Sequence, residues 1–361
     1  MKITLSGLLH HSGGYSELTR NLALVLNDLG VLASIDALDK GNFQGMPLDT
    51  FCSKEYLELE AKLAKDADKT YAPKADTILQ VTPPFMFKPA PAGIKKNIGI
   101  TMFETRVPKD WFTAVNNLTH LVVHDQFQQD LFKKYAAVDI HRWTPYVSNP
   151  HEIGVDLRFG QPDAQFLLTV GVARVHKNQS KIIQAFNLIR KEFPKVKLVI
   201  KAITEEQQYD DYRALVAGDS DIIVIPSNYS TVAMDNLYQR CAAYVSASMC
   251  EGLDMPAIKA AMCGKPIIAG WHTGHMSWVP EKHLSLITKK VDMSGMHNIH
   301  PRYREPDMCG YDCDVPHLAE HMHVVLSGAA EIEAFKIPEV ATMFSRIRCT
   351  ISIGKLLKDI A

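Results

Sequence analysis

The sequence predicts an α/β chain made of two halves, each a parallel sheet flanked by helices. Three observations carry this. Short runs rich in Val, Ile and Leu alternate from end to end with stretches of helical period, the order that parallel strands with right-handed crossovers require. Between two such series lies a Pro-containing stretch with no period, "RWTPYVSNPHEIGVDLRFGQPDAQ". The chain has 361 residues, of which 47% are hydrophobic and 22% charged, enough for two domains with cores of their own.

In the first half "KITLSGL" reads as a strand, "HHSGGYS" as a turn, and "ELTRNLALVLNDLG" as an amphipathic helix ending at Gly30. "LASIDAL", "DTILQVT", "KNIGITMF" and "HLVVHD" follow as strands, and "QFQQDLFKKY" as a helix. In the second half "FLLTVGVA", "VKLVIKA" and "DIIVIPS" are strands, with "QSKIIQAFNLIRKEF" and "TVAMDNLYQRC" as helices. "AAYVSAS" is a short buried strand, leading through a turn at Gly252–Met255 into a helix that Pro256 opens and Gly264 ends as a left-handed cap. "KPIIAG" is the next strand, and "EVATMFSRIRCTISIGKLLKDI" a helical tail. The expected domains are 1–150, a linker at 151–164, 165–335, and a last segment, 336–361, crossing back onto the first domain. This amounts to two Rossmann-like halves facing a central cleft, with strand C-termini and helix N-termini turned toward it.

Formal net charge is −1, which gives no electrostatic case for a nucleic acid or an anionic membrane as partner. Basic residues gather only locally, at "KPAPAGIKKN" and "HNIHPRYR". No run approaches the ~18 apolar residues of a membrane helix. Seven scattered cysteines suggest reduced thiols and a cytoplasmic setting. Cys309, Cys313, His317 and His321 recur every fourth residue, but Pro306, Gly310 and Pro316 interrupt any helix that would align them. The expectation there is a loop and an ordinary helix, with no metal.

Three strand-to-helix turns have residues suited to an anion. "SGGYSE" places Gly13 and Gly14 ahead of a helix, where backbone amides approach a ligand closely. "GVARVHKNQS" places Arg174 and Lys177 between a buried strand and a helix, and two such cations suit a diphosphate. "CEGLDMPAIKAAMCGKP" puts Glu251 just before a helix N-terminus and Lys259 eight residues later. Lys259 is expected in the first turn of that helix, where a cation meets the positive end of the dipole and needs a negative partner.

These turns also resemble a known family. "GVARVHKNQSKIIQAF" and "SMCEGLDMPAIKAAMCGKPIIAG" are similar to the donor-binding half of retaining glycosyltransferases of the GT-B fold, in the glycogen-synthase and sucrose-synthase-like group known as family four. "IGITMFETRVPKDW" resembles a first-domain signature of one branch, with its Met-Phe-Glu-Thr run. "GGYSELTRNLALVLNDLG" resembles the family's first Gly-rich turn and helix, so the resemblance runs from about residue 5 to about residue 350.

The resemblance implies transfer of a sugar from a nucleotide-diphosphate donor to an acceptor hydroxyl, without metal or other cofactor. Arg174 and Lys177 would bind the diphosphate and stabilise the leaving group. Glu251 would bind donor-sugar hydroxyls, and the backbone at Gly252, Leu253, Asp254 and Met255 would meet the sugar and distal phosphate. Gly13 and Gly14 would face the donor from the other domain. Glu104, His10, His11 and His124 would serve the acceptor, a saccharide or lipid-linked saccharide by default and a hydroxylated base of modified DNA as a minority reading.

Two positions depart from the family pattern. Asp254 stands where glycine is usual, and Lys259 stands where a second glutamate usually accepts hydrogen bonds from the donor ribose. An ammonium can only donate. Lys259 is therefore expected to face the donor and alter its choice. A catalytically weakened nucleotide-sugar-binding relative and a sugar-nucleotide epimerase are the competing readings.

Overall fold

The structure is a computed structural model that describes residues 1–39, 47–67, 75–105, 108–150, 165–203, 216, 218–283, 285–296 and 308–361. The linker at 151–164 and the "HNIHPRYR" cluster lie outside them.

In the first half the elements are β1 (Ile3–Gly7), α1 (Gly14–Asp28), β2 (Leu32–Ala37), α2 (Lys54–Ala67), β3 (Thr77–Val81), β4 (Lys96–Ile100), α3 (Phe112–Val115), β5 (His120–Val123), α4 (Gln126–Lys133) and β6 (Asp139–Arg142). The second half continues with β7 (Phe166–Val172), α5 (Gln179–Ile189), β8 (Lys197–Ile203), β9 (Ile222–Ile225), α6 (Thr231–Arg240), β10 (Ala243–Ser246), α7 (Met255–Met262) and β11 (Ile267–Ala269). Last come β12 (Thr288–Asp292), β13 (Cys309–Cys313), α8 (Val315–Ser327), α9 (Val340–Met343) and α10 (Arg346–Ile360).

The chain divides into two compact units. One comprises Met1–Phe103, Val107–Ser148 and Thr342–Ala361, and the other Glu104–Arg106 with Asn149–Ala341. The first holds a six-stranded sheet in the order β2-β1-β3-β4-β5-β6, and the second a five-stranded sheet in the order β11-β10-β7-β8-β9. Every pairing within both sheets is parallel.

In the first unit, Leu18, Leu22, Val25 and Leu26 recur on one face of α1, all at most 1% exposed, and bury against the sheet. The tail closes the same core. Ser345 caps α10 by accepting from the N–H of Arg348 at 3.4 Å, and Cys349, Ile353, Leu356, Leu357 and Ile360 join the cluster. Arg346 fixes the start of α10, donating to Asp28 at 2.7 Å and to Glu55 at 2.8 Å. The tail is thus two helices broken at Phe344 and Ser345, where one was expected. In the second unit Ile182, Ile183, Phe186 and Ile189 of α5 pack with Leu198, Ile200 and Ala202 of β8.

Three further elements differ from expectation. α2 was not anticipated, although Tyr56, Leu59 and Leu63 mark its apolar side. β6, "DIHR", is a polar edge strand with no buried residue, so no hydrophobic alternation announced it. The region of Cys309 and Cys313 is not a loop but β13, paired antiparallel with β12. A strand rises about 3.3 Å per residue against about 1.5 Å in a helix, so Cys309 and Cys313 stand roughly 13 Å apart on β13 and do not continue the helical row of His317 and His321 on α8. All seven cysteines are free thiols. Among the described residues no helix is long and apolar enough to cross a membrane.

Candidate functional site

In an open parallel sheet, ligands bind where the strand order reverses, beyond the carboxyl ends of the two strands at that point. In the second unit the chain runs outward from β7 through β8 to β9, then returns to the other side of β7 as β10. The reversal falls between β7 and β10. β7 leads to Arg174 and Lys177, and β10 leads to Glu251 and α7.

Backbone bonds tie the two turns together. His176 C=O accepts from Met249 N–H at 2.7 Å and from Ser248 Oγ at 3.2 Å. Asn178, the residue before α5, takes the left-handed conformation at φ 55°, which asparagine tolerates better than most side chains. Lys177 itself is placed by the single turn Val175–Lys177, in which its N–H donates to Arg174 C=O at 2.9 Å. Lys177 Nζ lies 2.7 Å from Glu251 Oε1 and 3.7 Å from Glu104 Oε1, while Glu104 Oε2 lies 3.4 Å from His176 Nε2. Glu104 follows β4 in the chain, yet it clusters with the second unit.

Charge in this cluster is unevenly matched. Burial works against the Lys177 ammonium, but the Glu251 and Glu104 carboxylates outweigh it and hold the pKa well above the usual lysine range. Burial pushes the Glu251 carboxyl up from 4.5 to about 7, against the pull of Lys177, and Asp254 and Glu104 add to the rise. One ammonium thus meets two carboxylates, those of Glu251 and Glu104, while Asp254 is paired with His275.

Behind Glu251 the chain is held by "HTGHMSW", residues 272–278, a stretch outside the site expected from sequence. Thr273 Oγ1 accepts from Glu251 N–H at 3.0 Å, and Gly274 N–H donates to Glu251 C=O at 2.9 Å. A Cβ on Gly274 would come within 2.2 Å of the Gly252 carbonyl oxygen, so only glycine permits this approach. Trp278 Nε1 donates to Leu253 C=O at 2.9 Å. His272 stacks on Tyr311 with ring centroids 5.0 Å apart, and burial and the neighbouring His275 lower its pKa to about 3. The available signal was a strand end followed by a glycine turn with two histidines and a threonine.

Asp254 sits in the left-handed region, φ 60° and ψ 60°, a conformation that glycine adopts without strain and that costs a residue with a β-carbon. Its carboxylate caps α7, accepting from Ala257 N–H at 3.2 Å, and binds His275 Nε2 at 2.9 Å with both side chains at most 3% exposed. Tyr244 Oη approaches it at 3.4 Å. Burial opposes its ionisation, but the bond and charge of His275 hold its pKa below the usual carboxylate value. Asp254→Ala removes a cap worth ~1 kcal/mol, leaves His275 unpaired at ~1–3 kcal/mol and keeps the ~1 kcal/mol strain of a β-carbon at positive φ. Asp254→Gly loses the same bonds without the strain. Chemical denaturation is expected to find both variants destabilised, alanine by about 1 kcal/mol more than glycine. Equal losses would mean that the backbone conformation at 254 carries no cost.

Lys259 is not in the first turn of its helix. α7 starts at Met255 and ends at Met262, which puts Lys259 in the last turn, where a cation is favourable toward the dipole. It is 8% exposed. Gly264 ends the helix at φ 71°, as the sequence predicts. Arg174 is half-buried, in extended conformation at φ −135°, and forms no ion pair among the described residues. Lys177 is engaged with carboxylates, so in this structure the two cations do not share a single partner.

The remaining predicted residues lie in the first unit, whose strand order reverses between β1 and β3. The turn after β1 carries His10, His11, Gly13 and Gly14. Asp39 accepts from the N–H groups of Leu9 and His10, Arg20 donates to the carbonyls of Leu9 and His11, and His10 Nε2 lies 2.8 Å from Glu60 Oε1. Gly13 is exposed at φ −77°, a value open to any residue, and a Cβ there would meet nothing within 4 Å. His124 follows β5 with its side chain 3% exposed, turned inward beside Asp125.

Residues 159–293 match the family model described as glycosyl transferases, group 1. No curated protein matches the chain by sequence. Among solved structures, sucrose-phosphate synthase from Thermosynechococcus elongatus superposes with a TM-score of 0.66 at 14% identity, covering 100% of this chain and 99% of that one. Anabaena HepE in complex with UDP and glucose gives 0.63 at 13% identity, covering 99% and 100%. A TarM variant from S. aureus, in complex with fondaparinux, alpha-GlcNAc-glycerol and UDP, gives 0.53 at 12% identity, covering 78% and 55%. The likeness shows the fold, the two-sheet α/β architecture called GT-B.

Proposed function

We propose that the protein is a retaining glycosyltransferase that moves a sugar from a nucleotide-diphosphate donor to a saccharide hydroxyl. The carrying observation is the meeting of Lys177, Glu251 and the α7 N-terminus at the strand-order reversal of the sheet that lies largely within the matched segment. Two of the solved structures with this fold hold UDP together with a sugar, which supports a nucleotide-sugar donor here.

In this reading the diphosphate enters beside Arg174 and Lys177, and its negative charge replaces Glu251 as the partner of Lys177. Glu251 is then free to accept hydrogen bonds from donor-sugar hydroxyls, while the helix N-terminus faces the distal phosphate. As the glycosidic bond to phosphate breaks, negative charge grows on the leaving oxygen, and the two cations stabilise it more than they stabilise the bound donor. Glu104, fixed beside Lys177 and His176, orients the acceptor hydroxyl. A buried cluster with more carboxylates than cations is short of positive charge for a dianionic ligand, so binding carries protons into the site, first onto Glu251.

The test is a panel of nucleotide-sugars assayed for thermal stabilisation, slow donor hydrolysis and transfer to saccharide acceptors, with anomeric configuration read by proton NMR. At least one donor is expected to stabilise the fold and be hydrolysed with its anomeric configuration retained. Stabilisation without hydrolysis or transfer would favour the nucleotide-sugar-binding relative, a reading that the lysine at 259 keeps open. Inverted product would reject the retaining mechanism.

A further inference from the structure

The second sheet contains a lysine withdrawn from water. Lys201, near the C-terminal end of β8, lies level with Val170 of β7 and Ile225 of β9. It faces away from Leu198, Ile200 and Ala202, which point into the core. It is 4% exposed, both lateral neighbours are aliphatic, and it forms no ion pair among the described residues. Its ammonium lies 5.9 Å from the centre of the Tyr229 ring, which is half-buried in the turn between β9 and α6. Burial alone pulls its pKa down to about 8. An unneutralised buried cation destabilises a fold, and such groups concentrate at functional sites.

The location limits what could complete it. β7 ends at Val172, and Arg174 follows four residues after Val170, a reach of at most about 13 Å. Lys201 stands beside Val170 on the next strand, so a nucleoside diphosphate anchored at Arg174 and Lys177 is long enough to bring its base to Lys201. Tyr229 offers an aromatic face, on which any base stacks. The ammonium offers donors and no acceptor. We propose that Lys201 and Tyr229 form the nucleoside end of the donor site and select a base that presents carbonyl oxygens, of the uracil, thymine or guanine type. Adenine places an amino donor beside its ring nitrogen and offers no carbonyl oxygen. The inference rests on the nucleotide-sugar reading above and adds to it a choice of base.

Calorimetric titration of the full chain with UDP, GDP, ADP and inorganic pyrophosphate tests it, with wild type compared with Lys201→Met and Lys201→Gln. Wild type is expected to bind UDP or GDP at least tenfold more tightly than ADP. Lys201→Met is expected to bring that ratio within threefold while changing pyrophosphate affinity less than twofold. Lys201→Gln, which keeps an N–H donor, is expected to fall between, and it supplies the comparison if the methionine variant does not fold. An unchanged ratio overturns the proposal, and so does a loss shared equally by pyrophosphate, which would make Lys201 a phosphate ligand. If wild type binds neither nucleotide nor pyrophosphate, the donor reading fails and this inference with it.

Discussion

Arg174→Ala is expected to lower kcat/KM for sugar transfer by about two orders of magnitude or more, the range seen when a charge that stabilises a leaving group is removed. The structure explains why the effect concentrates in catalysis. Arg174 forms no ion pair among the described residues, so its loss leaves no buried carboxylate uncompensated there. Stability is expected to change by ~0.5 kcal/mol or less, as for substitutions outside the core and its networks. The kinetic split is informative as well. A contact that tightens as charge develops lowers kcat, whereas one that only holds the ground state raises KM with kcat unchanged. Steady-state kinetics with the donor found by the nucleotide-sugar panel, beside a denaturation curve, measures both. Near-wild-type turnover would remove Arg174 from the leaving-group site.

The difference between Arg174 and Lys177 could not be read from the sequence. Both stand three residues apart in one turn, and sequence-level chemistry treats them as a pair of cations awaiting a diphosphate. What separates them is a contact across 74 positions, Lys177 to Glu251, made because β7 and β10 are neighbours in the sheet. Alternating runs of Val, Ile and Leu announce strands, but they carry no information on which strands become neighbours. The same limit hid the role of residues 272–278, whose importance comes from folding back onto Glu251.

Features set by local backbone chemistry were legible. Gly264 at the end of α7 is left-handed as expected, and Asp254 adopts the conformation that its departure from glycine called into question. Lys259 stands in the last turn and not the expected first because the helix starts one residue early and is only eight residues long. In so short an element, a shift of one residue in the start moves a side chain from the first turn to the last.

Lys177→Met is expected to be the most destabilising of these substitutions, and its cost is expected to depend on pH. The side chain lies 16% exposed against Glu251 at 9%. Breaking a buried pair by removing one partner costs about 3–5 kcal/mol, because the other charge remains in a poor environment. Here that charge can be neutralised by a proton. Burial already raises the Glu251 pKa from 4.5 to about 7 in the folded protein. A carboxyl with a raised folded pKa contributes stability that is full below its unfolded value and is lost as pH rises through the folded one. Lys177 lowers that folded pKa, so its removal lets the carboxyl rise further and widens the window of lost stability. Above pH 7 the variant's Glu251 is ionised without its cation, or protonated against the solvent's preference, and the full cost appears. Toward pH 4.5 the carboxyl is protonated in both proteins, and this part of the difference disappears. Urea denaturation at pH 5 and pH 8 measures it, with the loss expected to be clearly larger at pH 8. Equal losses at the two pH values would show that Lys177 stabilises the fold through packing of its aliphatic stem and not through the charge of Glu251.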